Sequence, residues 1–369
     1  MPMSNDIKIN SWLIPFTWLY GICIQIRNQL FNWGILPSEQ YSVPIISVGN
    51  LAVGGTGKTP HTEYLIRLLE KQYRIAVLSR GYKRKTSGFI LADAQSTSQD
   101  IGDEPYQMKS KFPEILVAVD SNRRRGIRNL LDLPHDIQPE IILLDDAFQH
   151  RYVTPSLSII LTDYHRLFYY DKLMPAGRLR EPVSGIRRAD IVVVTKCEKE
   201  MKPIEFRIIE KNMKLQANQQ LFFTGISYGE IEPVFPDIAR PLTHNEIGKE
   251  DDMLLISGIA SPVHFIHEAQ KYSNKTYIAT FPDHHIFNKS DIKKLDTIYE
   301  QMESPGKLIL VTEKDAARLK NTPFIPEEWK QSLYYLPITI EFYTENNFDE
   351  LIKRHIINVQ KTALYANTK

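Results

Sequence analysis

The sequence VPIISVGNLAVGGTGKTP, residues 43–60, decides the fold of the chain. A β-branched apolar run leads into a glycine-rich turn, and a helix is predicted to begin at Lys58 and Thr59. The turn contains three glycines, Gly54, Gly55 and Gly57. Glycine permits backbone conformations that are closed to residues with a Cβ, so that successive N–H groups can point at phosphate oxygens near a helix N-terminus. The stretch therefore predicts a phosphate-binding loop, in which Lys58 reaches the β- and γ-phosphates and Thr59 ligates Mg²⁺.

One position departs from the usual phosphate-loop pattern GxxxxGK[ST], because Ala52 stands where the first glycine is expected. Alanine is the smallest replacement for glycine, and both the strand before the loop and the helix after it are predicted. Nucleotide binding is therefore favoured over a chance glycine-rich turn. The predicted nucleotide contacts in the loop are Gly54, Gly55, Thr56, Gly57, Lys58 and Thr59.

Length and composition predict two domains with globular cores. The chain has 369 residues, of which 43% are hydrophobic and 24% are charged, and ordinary domains contain roughly 100–200 residues. Cys23 and Cys197 form neither a disulfide framework nor a zinc-ligand pattern, which fits a reducing cytoplasm. The net charge of +1 excludes polyelectrolyte character, and no nucleic-acid partner is expected. Basic residues are nevertheless concentrated in residues 71–88 and 123–128, which favours an anionic partner on that side.

The first forty residues contain an apolar and aromatic stretch between Ser11 and Leu36. It lacks the basic start and the small-residue cleavage site of a secretory signal. Its uninterrupted apolar part, residues 12–24, is shorter than the ~20 residues needed to cross a bilayer. The spacing of the apolar residues predicts an amphipathic helix, which could lie in a membrane interface or pack on its own domain. The surplus of aromatic residues favours membrane contact.

The rest of the chain predicts an α/β fold, with a mainly parallel sheet of the phosphate-loop NTPase type flanked by helices. Short apolar runs alternate with helical or loop segments at 74–79, 115–119, 140–144, 157–161 and 190–194. Ligands of such sheets gather beyond the carboxyl ends of the strands. The predicted divisions are a membrane-associating helix in 1–36, a nucleotide-binding kinase domain in 37–218, an extended linker in 219–241 and a smaller α/β domain with a C-terminal helix in 242–369.

Two adjacent carboxylates, Asp145 and Asp146, end the apolar run at 140–144. Aspartate after a strand is often a polar turn residue. Together with a phosphate loop, however, the pair is typical of a Mg²⁺ site, because a hard cation bound to phosphate also takes carboxylate oxygens. Gln149 and His150 follow, and they could contact nucleotide or substrate or serve structural hydrogen bonds.

A second acidic pair, Asp103 and Glu104, precedes Pro105, a residue that favours the first turn of a helix. The two acidic side chains could simply cap and stabilise the N-terminus of that helix. If the helix points at the site, Asp103 is instead placed to deprotonate an attacking hydroxyl.

Three further segments carry polar residues near predicted strand ends. The segment 175–182, PAGRLREP, predicts a functional loop with Arg178, Arg180 and Glu181. The arginines of residues 123–128 could include one or two phosphate ligands among others that solvate a helix. Thr195 begins the sequence TKCE, which is close to the guanine-reading pattern of GTPases but has glutamate in place of aspartate, so guanine specificity is the lesser possibility.

In the smaller domain, a strand is followed directly by FPDHH, residues 281–285. This places His284 where it could face a cleft, although a loop histidine is more often structural.

Eight motifs now stand in one order along the chain: SVGNLAVGGTGKTP, LSRGYKRK, GDEP, VDSNRRRG, LLDDAFQH, PAGRLREP, FPDHH and VTEKDAARL. Together they resemble the tetraacyldisaccharide 4′-kinase family of lipid A biosynthesis. The resemblance implies transfer of the ATP γ-phosphate to the 4′-hydroxyl of a tetraacylated disaccharide 1-phosphate, with Mg²⁺. It also implies a peripheral enzyme at the cytoplasmic face of the bacterial inner membrane, and we expect a monomer.

The resemblance also assigns roles to individual residues. Asp103 matches the proposed catalytic base and His284 the histidine that supports it, with His285 as the alternative. The matched phosphate and nucleotide contacts are Lys58, Gln149, Arg180 and Glu181. The matched metal contacts are Thr59, Glu104, Asp145 and Asp146. Lys58 and Asp146 are also expected to act in catalysis. Two rival functions are an NTPase switch or chaperone without phosphate transfer, and a kinase of another glycolipid.

Overall fold

The structure is a computed structural model that describes residues 9–259, 262–283, 285–343 and 347–367. The chain divides into two compact units, the first comprising Met1–Ile226 and Ile340–Lys369, and the second Ser227–Thr339.

The strands in chain order are β1 (Ile45–Asn50), β2 (Ile75–Ser79), β3 (Ile90–Leu91), β4 (Leu116–Val119), β5 (Ile141–Asp145), β6 (Leu157–Asp163), β7 (Ile191–Thr195), β8 (Gln220–Tyr228), β9 (Glu232–Pro233), β10 (Asp252–Ser257), β11 (Lys275–Thr280), β12 (Lys307–Thr312), β13 (Leu333–Leu336) and β14 (Ile338–Phe342). The helices are α1 (Ile14–Asn32), α2 (Lys58–Leu69), α3 (Ser98–Ile101), α4 (Asp103–Lys111), α5 (Arg123–Leu131), α6 (Pro203–Met213), α7 (Val263–Ala269), α8 (Lys289–Glu300), α9 (Glu313–Lys320), α10 (Trp329–Ser332) and α11 (Phe348–Asn367).

The first unit is built on a nine-stranded sheet of order β14-β8-β7-β6-β1-β5-β2-β4-β3. Strand β1 lies near its centre and pairs in parallel with β5 and β6, with Val48 opposite Asp145. All residues of β1 are buried, because helices cover both faces of a parallel sheet. The carboxyl end of β1 therefore lies beside that of β5. This architecture confirms the predicted α/β class with a mainly parallel sheet.

Helix α2 follows the phosphate loop and packs on the sheet through one apolar stripe. Leu65, Ile66 and Leu69 are buried in the same hydrophobic cluster as strand residues of β1, β2 and β5. Their spacing of one, three and four residues places them on one side of the helix. Burial of each such side chain contributes on the order of 1.5–3 kcal/mol, so α2 is held firmly on the sheet.

The C-terminal helix α11 belongs to the first unit, whereas the sequence-based division placed it with residues 242–369. Phe348, Ile352 and Ile356 are buried in the cluster that contains Leu65, and the Tyr64 hydroxyl donates to Asp349 Oδ1 at 2.7 Å. The apolar spacing of α11 predicts a packed helix, but it carries no information about which sheet the helix covers. That choice depends on contacts distant in sequence.

The second unit has a five-stranded sheet of order β11-β10-β12-β13-β9. Its pairs are parallel except β13 with β9. Leu254, Ile256, Ile309 and Val311 of the central strands are buried with Trp329 of α10. The unit therefore has a hydrophobic core of its own.

Helix α1 presents two different faces. Gly21 and Phe31 are buried against the first unit, which is the packed arrangement that the sequence left open. The large apolar side chains that remain exposed on or beside α1 are Trp12, Ile14, Phe16, Trp18, Leu19, Ile22, Ile26, Trp33 and Ile35. Among the described residues, no helix combines the length and apolar character that crossing a membrane requires.

Candidate active site

The loop between β1 and α2 has the backbone of a phosphate-binding loop. Gly54 has φ of +127° and Gly57 has φ of +84°, values that favour glycine because L side chains rarely adopt them. Gly57 immediately precedes the first residue of α2, so the loop opens onto a helix N-terminus. The Asn50 side chain donates to Thr56 Oγ1 at 2.8 Å, and the Thr195 hydroxyl donates to the Thr56 carbonyl at 3.0 Å. These hydrogen bonds hold the loop against the ends of β1 and β7.

The first half of the loop pairs with the segment 178–180. Val53 N donates to the Arg178 carbonyl at 2.8 Å, and Arg180 N donates to the Leu51 carbonyl at 2.7 Å. Ala52 forms the isolated antiparallel bridge between them, opposite Leu179. An extended bridge needs no glycine, which accounts for alanine at position 52. The Pro/Gly-rich segment that the sequence predicts to be a functional loop thus forms one wall of the site.

Asp145 lies at the end of β5 and is almost fully buried. Ser79 Oγ donates to its Oδ2 at 3.4 Å, whereas Oδ1 has no hydrogen-bond partner within the part of the chain that the structure describes. Burial raises the pKa of this carboxyl to about 7, with further contributions from the negative charges of Glu104 and Asp146. The site therefore contains a buried carboxylate oxygen that protein groups leave unsatisfied.

Asp146 follows with φ of +46°, and its carboxylate is held by two cations. Lys58 Nζ lies 3.7 Å from Oδ1, and Arg180 Nη1 contacts both oxygens at 3.1 Å. Burial alone would raise the pKa of Asp146, but Lys58 and Arg180 outweigh it and lower the pKa. Lys58, Asp146 and Arg180 are thus in contact, and Asp145 is the residue before Asp146. The sequence predicted that these residues share one site.

Asp103 and Glu104 are the first two residues of α4, and both are partly buried. Gly102 precedes them and is the N-cap residue of the helix. The charge of Glu104 raises the pKa of Asp145, which places Glu104 within electrostatic reach of the acidic pair. Gly102 lies against the backbone of Gly81 and Tyr82, which follow β2, so α4 begins near the carboxyl end of that strand.

Gln149 and Glu181 have different environments. The Gln149 side chain donates to the Asn50 carbonyl at 2.7 Å, at the start of the phosphate loop. Glu181 is buried and accepts a short hydrogen bond from Arg188, whose guanidinium lies 4.2 Å from the centre of the Phe148 ring. Burial raises the pKa of Glu181 more than the nearby arginines lower it. Glu181 thus points into the interior from the same loop that carries Arg180.

Arg123 lies beside Asp145, and the sequence did not single it out among the clustered arginines. It is 3% exposed, and its guanidinium donates to the Asp120 carbonyl at 2.6 Å and to the Asp145 carbonyl at 3.2 Å. Burial lowers its pKa to about 10, although Asp145 and Asp146 favour its charged form. Arg125 instead pairs with Asp120. The signal that distinguishes Arg123 is its position at the first residue of α5, directly beyond the end of β4.

The sequence also did not single out two buried polar residues of α2, His61 and Glu63. His61 Nδ1 lies 2.7 Å from the Gly57 carbonyl and Nε2 lies 3.0 Å from Thr224 Oγ1, and burial lowers the pKa of the imidazole to about 4. Glu63 accepts hydrogen bonds from Gln107 at 2.9 Å and from Lys111 at 2.6 Å, both on α4. A neutral histidine thus supports the loop, and a buried carboxylate ties α2 to the helix that carries Asp103.

His284 lies outside the described residues, so its predicted role stays a prediction. Its neighbour His285 belongs to the second unit, where it stacks on Phe281 with ring centres 4.6 Å apart and contacts Asp291 Oδ2 at 2.8 Å. The contacts of His285 are thus with neighbouring residues of its own unit, which indicates a structural role.

The family model for tetraacyldisaccharide-1-P 4′-kinase matches residues 9–357. The tetraacyldisaccharide 4′-kinase of Parabacteroides distasonis is 58% identical over 358 residues, which cover 96% of this chain and 97% of that protein. The kinase of the same description from Bacteroides thetaiotaomicron is 50% identical, with 96% and 94% covered. The structure of LpxK from Aquifex aeolicus in complex with ATP is similar at a TM-score of 0.72 and 29% identity, covering 94% of this chain and 99% of that one.

Proposed function

Because the chain belongs to the tetraacyldisaccharide-1-phosphate 4′-kinase family, we propose that the carboxyl edge of its nine-stranded sheet is where this kinase transfers phosphate. The enzyme phosphorylates the 4′-hydroxyl of tetraacyldisaccharide 1-phosphate, a step of lipid A biosynthesis. The observation that carries the proposed site is the convergence of Lys58, Asp145 and Asp146 where β1 and β5 end side by side. A switch NTPase and a kinase of another glycolipid are the less favoured functions.

ATP is the proposed phosphate donor, as its presence in the Aquifex aeolicus relative supports. The backbone N–H groups of residues 54–59 would hold its phosphates, because glycines with positive φ favour inward-pointing amides and α2 adds its positive end. Lys58 and Arg180 neutralise the charge that develops on the transferred group. The Gln149 side chain bonds to the start of the phosphate loop and Glu181 accepts from Arg188, and both residues are proposed to support the nucleotide site.

Mg²⁺ is the proposed metal cofactor, and the residues present fit it. The unsatisfied Oδ1 of Asp145, together with Asp146, Glu104 and the Thr59 hydroxyl, offers the oxygen ligands that this hard cation prefers. Within the described part of the chain, no three His, Cys, Asp or Glu side chains are placed to hold a metal by themselves. Kinase Mg²⁺ sites commonly use one or two carboxylates with substrate phosphates, and the bound ion supplies charge neutralisation and orientation of the phosphates.

Asp103 is the proposed general base. It would accept the proton of the 4′-hydroxyl as the hydroxyl oxygen attacks the γ-phosphorus and the bond to the ADP oxygen breaks. Its place at the N-terminal end of α4, one residue from Glu104, brings it to the edge that holds the acidic pair. His284 is proposed to support Asp103, on the resemblance alone.

The outward face of α1 is proposed to rest on the lipid surface from which the acylated substrate is taken. Trp12, Trp18 and Trp33 are each at least 66% exposed, and tryptophan favours the interface between headgroups and acyl chains. The family's substrate carries acyl chains, which makes a bilayer the natural occupant of this apolar face. We place the enzyme as a peripheral monomer at the cytoplasmic face of the bacterial inner membrane.

One assay tests the proposed function. The purified protein is given γ-labelled ATP, Mg²⁺ and tetraacyldisaccharide 1-phosphate, and the label is followed into lipid and free phosphate. Label in the lipid at its 4′-position is expected. Label in free phosphate alone would indicate an NTPase, and label only in a different glycolipid acceptor would indicate the other kinase. A Lys58→Ala variant is the matched negative control, because it removes a phosphate ligand without touching α1.

A further inference from the structure

The inward face of helix α1 donates hydrogen bonds to the backbone of two segments that carry proposed site residues. The Tyr20 hydroxyl donates to the Arg180 carbonyl at 2.8 Å, and Arg27 Nη2 donates to the Gln149 carbonyl at 2.9 Å. Tyr20 and Arg27 are seven residues apart, which places them two turns apart on one side of the helix. Both side chains are partly buried.

Each of these two segments is hydrogen-bonded on its other side to the phosphate loop. Arg180 N donates to the Leu51 carbonyl at 2.7 Å, and its guanidinium contacts both oxygens of Asp146 at 3.1 Å. The Gln149 side chain donates to the Asn50 carbonyl at 2.7 Å. The two segments therefore lie between α1 and the loop, and α1 sets one boundary of their positions.

A third contact extends the same face toward the start of the helix. Ala176 N donates to Thr17 Oγ1 at 3.0 Å, and the Thr17 hydroxyl lies 3.4 Å from the Leu173 carbonyl. The segment 173–180 is thus held by α1 at both of its ends. This Pro/Gly-containing segment is not regular structure, so it depends on such contacts for a defined conformation.

We infer that Tyr20 and Arg27 are positioning residues for phosphoryl transfer, which hold Arg180 and Gln149 against the phosphate loop. Helix α1 then has two separable roles, with membrane contact on its outward face and alignment of the site on its inward face. The inference rests on the proposed assignment of Arg180, Gln149 and Asp146 to the site. A small displacement of Arg180 matters because phosphoryl transfer depends chiefly on positioning and charge stabilisation.

The test compares Tyr20→Phe and Arg27→Met with a matched control, Tyr41→Phe. Tyr41 is in the same unit, and its hydroxyl donates one hydrogen bond, to Glu39 Oε2 at 2.7 Å. It precedes β1, so it lies at the opposite edge of the sheet from the proposed site. Each full-length variant is assayed for kcat, KM for ATP, melting temperature and sedimentation with vesicles of anionic phospholipid.

Tyr20→Phe and Arg27→Met are each expected to lower kcat by about threefold to tenfold, the range that loss of one hydrogen bond supports. The KM for ATP should change less, because the phosphate loop itself is intact. Sedimentation with vesicles should match the unaltered protein, and Tyr41→Phe should keep its kcat. Arg27→Lys, which retains a donor, should recover part of the lost turnover. The double substitution Trp18→Ser with Ile22→Ser, on the outward face, should reduce sedimentation and shows that the vesicle assay responds.

Several results would overturn the inference. One is a kcat for Tyr20→Phe and Arg27→Met equal to that of Tyr41→Phe. Another is a fall in kcat that appears only together with lost sedimentation, since α1 would then act as an anchor alone. A third is a fall in the kcat of Tyr20→Phe and Arg27→Met that a lower melting temperature accounts for entirely, with no higher kcat in Arg27→Lys than in Arg27→Met. If Lys58→Ala also keeps its turnover, it is the proposed site itself that fails, and the two failures are thereby distinguished.

Discussion

Asp145 in the first unit and Asp315 in the second are both buried carboxylates near the carboxyl end of a parallel strand, but their partners differ. Asp315 Oδ2 accepts from Gly258 N at 2.8 Å and from the Thr312 hydroxyl at 2.6 Å, while Oδ1 accepts from Arg318 at 2.9 Å. Asp145 has only the 3.4 Å contact from Ser79 on Oδ2, and its Oδ1 is unpartnered among the described residues.

The contrast assigns a stabilising role to Asp315, and it supports the proposal that Asp145 serves chemistry. A buried carboxylate with a full set of donors stabilises its fold, whereas one left unsatisfied among like charges lowers stability. Such a group persists where a ligand completes its surroundings. The four experiments below test this contrast, in order of decreasing expected effect.

Asp145→Asn should reduce turnover most strongly, by on the order of 10²–10³-fold, because asparagine keeps the shape but removes the charge proposed to hold the metal. The free energy of unfolding should not fall, since the substitution relieves a buried charge next to Glu104 and Asp146. Lipid phosphorylation and denaturant unfolding measure the two effects. Unchanged turnover would remove Asp145 from the reaction.

Asp103→Ala should lower kcat by at least ~10²-fold, as removal of a general base usually does. The KM for ATP should be nearly unchanged, because the base acts on the acceptor hydroxyl. Asp93→Ala is the control, since Asp93 is an exposed carboxylate of the same unit that accepts hydrogen bonds from Gln95 and Ser96 of its own turn. Equal kcat in the two variants would show that Asp103 is not the base.

Asp315→Asn should have the opposite effects to Asp145→Asn. The free energy of unfolding should fall, and most of the turnover should be retained. Loss of one partner of a buried ion pair typically costs about 3–5 kcal/mol, and this substitution removes the carboxylate charge that Arg318 contacts at 2.9 Å. Trp329 is the one tryptophan of the second unit, since the other three are Trp12, Trp18 and Trp33. Denaturation followed by fluorescence, with those three replaced by Phe, therefore reports on this unit alone.

The control for that experiment is Glu300→Gln, an exposed carboxylate on α8, which should change the free energy of unfolding by less than about 0.5 kcal/mol. A stability of Asp315→Asn equal to that of the control would contradict the contrast between the two aspartates.

The pH dependence of stability should show the smallest effect. The pKa of Asp145 is raised to about 7, so the folded protein binds a proton that the unfolded chain has already lost above about pH 4. Its contribution to stability is therefore present at low pH and lost as pH rises toward 7. Without Mg²⁺, Asp145→Asn should gain relative stability across this window, by up to about 1 kcal/mol per pH unit.

The difference between variant and unaltered protein is the quantity to measure, because His61 and His150 titrate in the opposite sense. Burial lowers the pKa of both imidazoles to about 4, so their contribution is lost as pH falls, in both proteins alike. A difference that does not vary with pH would contradict the raised pKa of Asp145. Mg²⁺ should abolish the variation, since metal binding favours the ionised carboxylate.

Much of the fold and part of the site could be predicted from local sequence. The β-branched runs, the glycines of residues 54–57 and the carboxylates at a strand end are short-range signals, because strand period and turn conformation depend on neighbouring residues. In the structure the acidic pair lies beside Lys58 at the end of β1, where parallel strands end together. The family resemblance, which rests on eight such motifs, was confirmed by the comparisons.

Other features were decided only by tertiary structure. The pairing of Arg180 with Asp146 and the hydrogen bonds from α1 join residues distant in the chain. Sequence determined which segments form helices and strands and which side chains are available for chemistry. Whether Asp145 is left unsatisfied while Asp315 is not, and which sheet α11 covers, depended on the sum of many weak long-range contacts, for which local pattern carries no signal.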